Sequence, residues 1–250
     1  MNDQEEILIS SKRFRNRSIV AFILFAVAIV AAIFIWKWIH RQPEIADAPK
    51  PLRNVLSLDE KVFSRTLSST HLAKTYPVSE AVKNVRVNGD VGLKSALDSN
   101  WKLHLVESTG DTVLITLADI ESLPKTDLVF DFKCIEGWSQ ITHWAGVKFS
   151  DFAKKYNLNA QTQMNFVGLS TPDKDYYVGI DIASMMHPQT LLVYEMNGKP
   201  LPLNQGYPLR LIIPVKYGIK SIKRIGTIFF SNTPPPDYWY ERGYDYYSGL

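Results

Sequence analysis

The only cysteine of the chain, Cys134, is the residue whose type is best suited to chemistry. It lies just past the apolar run 128–132, after Lys133, and begins a polar turn within the stretch 128–156. An ionised thiol is a nucleophile and a soft metal ligand. An un-ionised thiol packs as a small hydrophobe, which is the commoner state of a lone cysteine. Residue type alone leaves both interpretations open.

A second chemical feature is the segment 210–230, RLIIPVKYGIKSIKRIGTIFF, which contains no acid. Its cations are Arg210, Lys216, Lys220, Lys223 and Arg224. One interpretation is a solvated basic face or a contact with anionic lipid. The other is a phosphate cradle, in which Gly218 allows close approach of the backbone and Ser221 supplies a hydroxyl and an amide. The net charge is only +3, so a phosphate-bearing cofactor fits better than a nucleic acid partner.

Other chemistries are excluded by what the sequence lacks. One cysteine rules out an internal disulfide, a cysteine-held iron–sulfur cluster and a c-type haem attachment within the chain. No pair of histidines has metal-ligand spacing, and there is no G-x-S-x-G, G-x-G-x-x-G or P-loop motif. A redox reaction would therefore need another electron carrier.

Residues 19–36 are uncharged and apolar, which is long enough for one transmembrane helix. The alternative is a cleaved signal peptide, since Ala46-Asp47-Ala48 has a small-x-small pattern. The apolar run is longer than a signal core and lies far from that site, which favours an uncleaved anchor. Lysines and arginines crowd its N-terminal side and predict a cytoplasmic N-terminus. The expected organisation is a cytoplasmic segment 1–17, an anchor 18–38, a semi-extended linker 39–56 and an extracytoplasmic domain 57–250.

The elements that must position Cys134 and the basic segment are many short strands and a few helices. Strands are expected at 103–106, 112–117, 128–132, 166–169, 176–180, 210–214 and 225–231, with hairpins over 82–92 and 191–203. Helices are expected from Ser57, through a capping box, and over 149–156 with Ser150 as the cap. The aromatic tail 238–250 forms either a core rim or a pocket wall. This pattern predicts an α+β domain with mixed or antiparallel sheets.

Four motifs in order resemble the sulfite oxidase-type molybdopterin oxidoreductases. They are FKCIEGWS at 132–139, MMHPQTLLVYEMNGKPLP at 185–202, GYPLRLIIPVKYGIKSIK at 206–223 and GYDYYSG at 243–249. Within the family, the sequence is most similar to the bacterial branch that includes the protein-methionine-sulfoxide reductase catalytic subunit. The resemblance implies the mixed α+β fold of that family and a molybdenum held by molybdopterin and one cysteine.

The same resemblance assigns roles to individual residues. Cys134 becomes the molybdenum ligand and Glu136 an acid near the metal that could relay protons. Residues placed where the family holds the pterin and its phosphate are Ser170, Gln205, Arg210, Ser221, Ile222 and Lys223. Lys216 and Lys220 join this cofactor-binding set through the acid-free segment. Gln205 departs from the Asn or His of relatives.

The segment after the cysteine, Ile135-Glu136-Gly137-Trp138, departs from the Asn-Arg-Arg of sulfite oxidases. An anion would meet a carboxylate and an indole there, which disfavours sulfite. Together with the apolar anchor, the resemblance implies a molybdenum oxidoreductase held in a bacterial inner membrane, with its domain on the periplasmic side. It would transfer an oxygen atom or two electrons on a sulfoxide-like substrate, small or peptide-borne. Its electron partner would be a membrane b-type cytochrome or another electron-transfer subunit. The alternative is a non-catalytic, membrane-tethered binding module with the same fold.

Overall fold

The computed structural model describes residues 10–66, 70–107 and 110–250, and the chain divides between Asn54 and Val55 into two compact units. The helices are α1 (Ser11–Ile39), α2 (Lys50–Thr66), α3 (Leu117–Glu121), α4 (Phe149–Lys155) and α5 (Ile182–Met185). The strands are β1 (Glu44–Ile45), β2 (Ala48–Pro49), β3 (Leu103–Val106), β4 (Thr112–Ile115), β5 (Lys125–Lys133), β6 (Ser139–Lys148), β7 (Phe166–Ser170), β8 (Tyr177–Asp181), β9 (Leu191–Met196), β10 (Lys199–Pro200), β11 (Arg210–Ile212) and β12 (Thr227–Ser231).

The first sheet carries Cys134. Its strand order is β10-β9-β6-β5, and β11 pairs with β9 beside β10. The hairpin of β5 and β6 is antiparallel from the pair Lys125 and Val147 to the pair Lys133 and Ser139. Cys134 therefore begins the turn that joins the two longest strands of the domain.

The second sheet has the order β4-β3-β12-β7-β8. Strand β12 runs parallel to β3 and antiparallel to β7, so this sheet is mixed. The prediction of an α+β domain with mixed and antiparallel sheets is confirmed.

Apolar side chains cover both faces of the first sheet. In β9, Leu191 and Val193 pack into one buried cluster, whereas Leu192 and Tyr194 pack into the other. The larger cluster also takes in residues of the second sheet such as Val167, so it fills the space between the sheets. Buried residues in the middle of β5 and along most of β6 and β9 anchor these strands, which carry the turn with Cys134, in the core.

The N-terminal unit corrects one prediction. Residues 41–56 do not form a semi-extended tether: β1 and β2 make a short hairpin and α2 begins at Lys50, so Ser57 lies inside a helix. Arg53 is buried and donates from Nε to the carbonyl oxygen of Ile45 at 3.2 Å, which ties the helix to the hairpin. Pro51 is tolerated because it lies in the first helical turn, where backbone N–H groups have no intrahelical partner.

Helix α1 contains the predicted apolar run and is long and apolar enough to cross a membrane, a test that a signal sequence also passes. Two other details differ from prediction. No strand forms over 82–92, although Gly89 does adopt the left-handed φ of +71°. The cap of α4 is Lys148 rather than Ser150, which lies within the helix.

Candidate functional site

The turn after β5 holds Cys134 at the base of a cavity of about 140 Å³. The Cys134 amide donates to the Trp138 carbonyl oxygen at 2.9 Å, and the Gly137 amide donates to the Cys134 carbonyl oxygen at 3.0 Å. Gly137 has a φ of +85°, a value that favours glycine. These bonds fix the thiol, which is 7% exposed and forms no disulfide.

The segment 85–91 lies along the cavity next to the thiol. Asn88 Nδ2 donates to Cys134 Sγ at 3.6 Å. The backbone of this segment bonds to side chains rather than to a strand: the Arg86 amide donates to Gln140 Oε1 at 2.9 Å. Asn88 is a site residue that sequence reasoning missed, because its Asn-Gly dipeptide is also typical of a hairpin turn.

Arg210 is a buried cation of the cavity wall, 3% exposed. Its Nη1 donates to Gln205 Oε1 at 3.0 Å and its Nη2 to the Ser221 carbonyl oxygen at 3.3 Å. Its Nε is buried and has no hydrogen-bond partner among the described residues. Burial lowers the pKa of Arg210 to about 9, so the guanidinium stays charged at neutral pH without a paired carboxylate in the described chain.

Lys223 is the second cation of the wall. Its Nζ donates only to carbonyl oxygens, those of Asn88 at 2.8 Å, Gly89 at 2.9 Å and Asn204 at 3.0 Å. Burial, and then repulsion by Arg210, lower the pKa of Lys223 to about 7. Two adjacent cations that lack an acid partner fit an anion such as the phosphate of molybdopterin.

Gln205 and Ser221 complete this group. Gln205 is 3% exposed, and its Nε2 donates to the Arg86 carbonyl oxygen at 3.3 Å, so it links Arg210 to the segment beside Cys134. Ser221 lines the cavity and its Oγ accepts from the Ile213 amide at 3.4 Å. The structure therefore brings together Cys134 and four of the predicted cofactor-binding residues. We call Gln205, Arg210, Ser221 and Lys223 the cradle.

The structure does not bring Lys216 and Lys220 to the cavity, which corrects that part of the predicted set. Lys216 Nζ lies 2.6 Å from Asp181 Oδ1 and 2.9 Å from the ring centre of Tyr247. Lys220 pairs with Asp237, and both are 1% exposed. Because each ammonium already has a buried carboxylate, neither is available to a phosphate.

Ser170 and Ile222 also lie outside the cavity lining. Ser170 ends β7, and its carbonyl oxygen accepts from the Gly226 amide at 2.7 Å. Ile222 is 1% exposed and packs in the core between the sheets. The cofactor-binding roles that the resemblance implies for these two positions stay predictions.

Glu136 lies at the cavity mouth, exposed. Its Oε2 accepts from Trp138 Nε1 at 3.1 Å. Hydrogen bonds from Asn88 and then Trp138, together with the nearby Arg86, lower the pKa of Glu136. Arg86 stacks over the Trp138 ring at 4.7 Å. The mouth thus carries a carboxylate held beside an indole.

Aromatic residues of the C-terminal part close the cavity. Trp239 and Tyr244 line it, whereas Tyr246 and Tyr247 are buried, so the aromatic tail forms both a pocket wall and a core rim. Tyr176 also lines the cavity, and its hydroxyl donates to the Ile219 carbonyl oxygen at 2.6 Å. Burial raises the pKa of Tyr176, so it remains a neutral donor. Tyr176 carried no signal in the sequence beyond its place in a predicted strand.

Comparisons with known proteins identify a family for the part of the chain that contains this cavity. The family described as oxidoreductase molybdopterin binding domain matches residues 89–239, which include Cys134 and the cradle. A putative protein-methionine-sulfoxide reductase subunit, YedZ1, of Azospira oryzae is 34% identical over 181 residues, which cover 71% of this chain and 68% of that protein.

Catalytic subunits named MsrP, protein-methionine-sulfoxide reductases, match over a shorter stretch. The protein of Xanthomonas axonopodis pv. citri is 33% identical, covering 49% of this chain and 42% of its own length. That of Campylobacter jejuni is 30% identical, covering 56% and 52%. The chain thus spans about half the length of these relatives.

A solved structure supports the fold. The sulfane dehydrogenase SoxCD of Paracoccus pantotrophus superposes with a TM-score of 0.50 at 15% identity, covering 56% of this chain and 40% of that one. A match at this identity concerns the fold alone. With the family match across most of the domain, it follows that the chain belongs to the sulfite oxidase-type molybdopterin-binding oxidoreductases and is an enzyme that uses molybdopterin.

Proposed function

We propose that the chain reduces sulfoxides, with peptide-borne methionine sulfoxide as its substrate class. In this reaction the sulfur–oxygen bond breaks, the sulfoxide takes up two electrons and two protons, and a thioether and water leave. The observation that carries the proposal is the cavity beside Cys134, which has aromatic walls and a carboxylate at its mouth. The names of the relatives support the same reaction.

We further propose that Cys134 is the molybdenum ligand. When bound, the molybdenum cofactor supplies a two-electron centre that exchanges oxygen atoms. The thiolate is the form of a cysteine that binds metals, and the Asn88 amide lies beside Sγ, where it donates at 3.6 Å. The hydrogen-bonded turn from Cys134 to Trp138 positions this sulfur at the end of the paired strands β5 and β6.

The cradle is proposed to hold the phosphate end of the cofactor. Arg210 presents a buried guanidinium whose Nε has no partner among the described residues, and Lys223 presents an ammonium. Gln205 orients Arg210, and Ser221 accepts the Ile213 amide, so the group is preorganised before it meets an anion.

The mouth carries one carboxylate, Glu136, and one guanidinium, Arg86, so its charges largely offset each other, which supports a substrate without net charge. Glu136 would repel sulfite, whereas a sulfoxide carries no net charge. Trp138, Trp239 and Tyr244 offer apolar surface to the alkyl groups of a thioether. A proton-relay role of Glu136 stays a prediction.

Electrons must reach the cavity from outside, because the single cysteine excludes an iron–sulfur cluster held by this chain alone. A membrane b-type cytochrome, or another electron-transfer subunit, is the proposed partner. In this proposal residues 18–38 anchor the chain in the membrane next to such a partner, and the domain 57–250 lies on the periplasmic side. Helix α1, which is long and apolar enough to cross a membrane, supports the anchor. The proposed linker 39–56 contains the β1–β2 hairpin and the start of α2.

Turnover of the cofactor-loaded protein with two substrates tests this function. With a reduced viologen dye as donor, a peptide that contains methionine sulfoxide should be reduced. With ferricyanide as acceptor, sulfite should not be oxidised. Sulfite turnover without sulfoxide turnover would contradict the substrate class. The absence of any redox turnover in loaded protein would favour the non-catalytic binding module.

A further inference from the structure

Arg224 is a buried cation that the cradle does not use. It is 4% exposed and lines a separate cavity of about 420 Å³. Its Nη1 donates to the carbonyl oxygens of Leu93 at 3.4 Å and Ser95 at 2.9 Å. Its Nε is buried and has no hydrogen-bond partner among the described residues. A guanidinium removed from water in this way is stabilised when an anion completes its hydrogen bonds.

The backbone at Arg224 is left-handed, with a φ of +49°. This conformation is unfavourable for a residue with a β-carbon, and such residues concentrate where a site requires them. Its amide donates to the Gly206 carbonyl oxygen at 3.2 Å, which holds the turn in place. The preceding residue, Lys223, lines the cavity beside Cys134, so one turn supplies a cation to each cavity.

The remaining walls of the Arg224 cavity suit an anion with an apolar body. The charged residues Asp90 and Lys94 also line it and lie 3.9 Å apart, both largely exposed, so they largely offset each other. Val87 and Leu203 line it with 48% and 58% of their surface exposed. The cavity therefore combines apolar side chains open to solvent with a buried positive charge.

We propose that this cavity binds a small organic anion, a carboxylate or a phosphate monoester that carries a compact apolar group. The anion pairs with the Arg224 guanidinium, and its apolar group lies against Val87 and Leu203. Gly89 lines this cavity and the one beside Cys134. An occupant would therefore order the segment 87–97, which includes the neighbour of the thiol, Asn88.

Calorimetric titration of the full chain, loaded with cofactor so that the cradle is filled, tests this proposal. The probes are phenyl phosphate and benzoate, with phenol as the neutral control. Saturable binding of at least one anion is expected, and phenol should not bind. Comparison of the two anions identifies the preferred head group. Hydrogen exchange at the amides of 93–97 should slow when the anion binds.

Two variants locate the binding. Arg224→Gln should weaken the anion by about tenfold or more. Leu203→Asp places a negative charge at a position that is 58% exposed, where folding tolerates it, and should also weaken binding. Val78→Asp, at an equally exposed position outside the cavity lining, is the matched control. No saturable binding of either anion, or equal affinity in the wild type and both cavity variants, would overturn the proposal. Calorimetry and hydrogen exchange detect this binding without any turnover of the enzyme.

Discussion

The guanidinium of Arg210 lies 4.6 Å from the ring centre of Trp144, a side chain that is 1% exposed. The indole ring contacts the guanidinium but carries no negative charge that could neutralise it. With Lys223 nearby and no acid paired to either residue in the described chain, the folded apoprotein carries an electrostatic cost that an anion removes. The cavity beside Cys134 is therefore organised around a ligand that brings negative charge.

Replacement of Arg210 separates cofactor binding from folding. Arg210→Met should lower the molybdopterin content of the purified protein by about tenfold or more, because a charge-assisted pair with the phosphate is lost. The free energy of unfolding of the apoprotein should change by less than about 2 kcal/mol, since the removed charge had no acid partner. Pterin fluorescence and urea denaturation measure the two effects. Arg86→Met, at the exposed mouth, is the control and should keep its cofactor; equal losses in both variants would contradict this role.

The depressed pKa of Lys223, about 7, predicts a pH dependence of apoprotein stability. The unfolded lysine holds its proton up to about pH 10.4, whereas the folded one releases it near pH 7. Between these values the unfolded state binds more protons, so the apoprotein should become more stable as pH rises through this window. The charges that act on Lys223 are Arg210, which lowers its pKa, and Asp90, which raises it.

Urea denaturation at pH 6.5 and pH 9 checks this dependence. Lys223→Met should reduce the stability gain between the two pH values, and cofactor-loaded protein should lose much of it, because a bound phosphate keeps Lys223 protonated. Lys94→Met, an exposed lysine, is the control. An unchanged gain in Lys223→Met would show that other groups cause the dependence.

Glu136 is expected to exclude anions from the cavity. Glu136→Gln should strengthen competitive inhibition by sulfate about threefold, since one unit charge about 6 Å away contributes about 0.7 kcal/mol in a water-like dielectric. The KM for a neutral sulfoxide should change little. Glu80→Gln, an exposed acid outside the cavity lining, is the control. Unchanged inhibition by sulfate in Glu136→Gln would remove Glu136 as the basis of charge selection.

Gly146 allows β6 and β9 to approach closely. A β-carbon there would lie 2.1 Å from the Leu192 carbonyl oxygen, a backbone atom that cannot move away easily. Gly146→Ala should therefore lower the free energy of unfolding by about 3 kcal/mol or more. Gly198→Ala, at a hairpin turn with a φ of +71° and open space, should cost only about 1 kcal/mol. Similar losses in the two variants would mean that the close approach is not what requires Gly146.

Sequence patterns predicted the elements that have local signals. The hairpin of β9 and β10 follows its Asn-Gly turn, with φ values of +52° and +71° at Asn197 and Gly198. Strand β6 escaped prediction because residues 142–147 are all buried, so it shows no alternation of apolar and polar residues. The hairpin expected over 82–92 was wrong because its backbone bonds to side chains such as Gln140, which are distant in sequence.

The location of the candidate site was predictable where residue type and the family resemblance point to the same positions. Cys134 is the lone cysteine and Arg210 a cation in an acid-free segment, both match family motifs, and the structure places both at one cavity. The partners of Lys216 and Lys220 could not be predicted, because Asp181 and Asp237 reach them only through the packing of β8 and the C-terminal segment. Charge in a segment indicates that a partner exists, but tertiary contacts decide whether that partner is a ligand or the protein itself.

The central claim is that Cys134 binds molybdenum. It is tested most directly by measuring the sulfur ligation of molybdenum in the full chain, produced in a host that makes molybdopterin. X-ray absorption at the molybdenum edge, with metal and pterin analysis, should find molybdenum and pterin equimolar with the wild-type chain. In Cys134→Ser, the molybdenum that remains should have one sulfur neighbour fewer. Wild-type protein without molybdenum, or a variant with unchanged sulfur ligation, would contradict the assignment of Cys134 as the metal ligand.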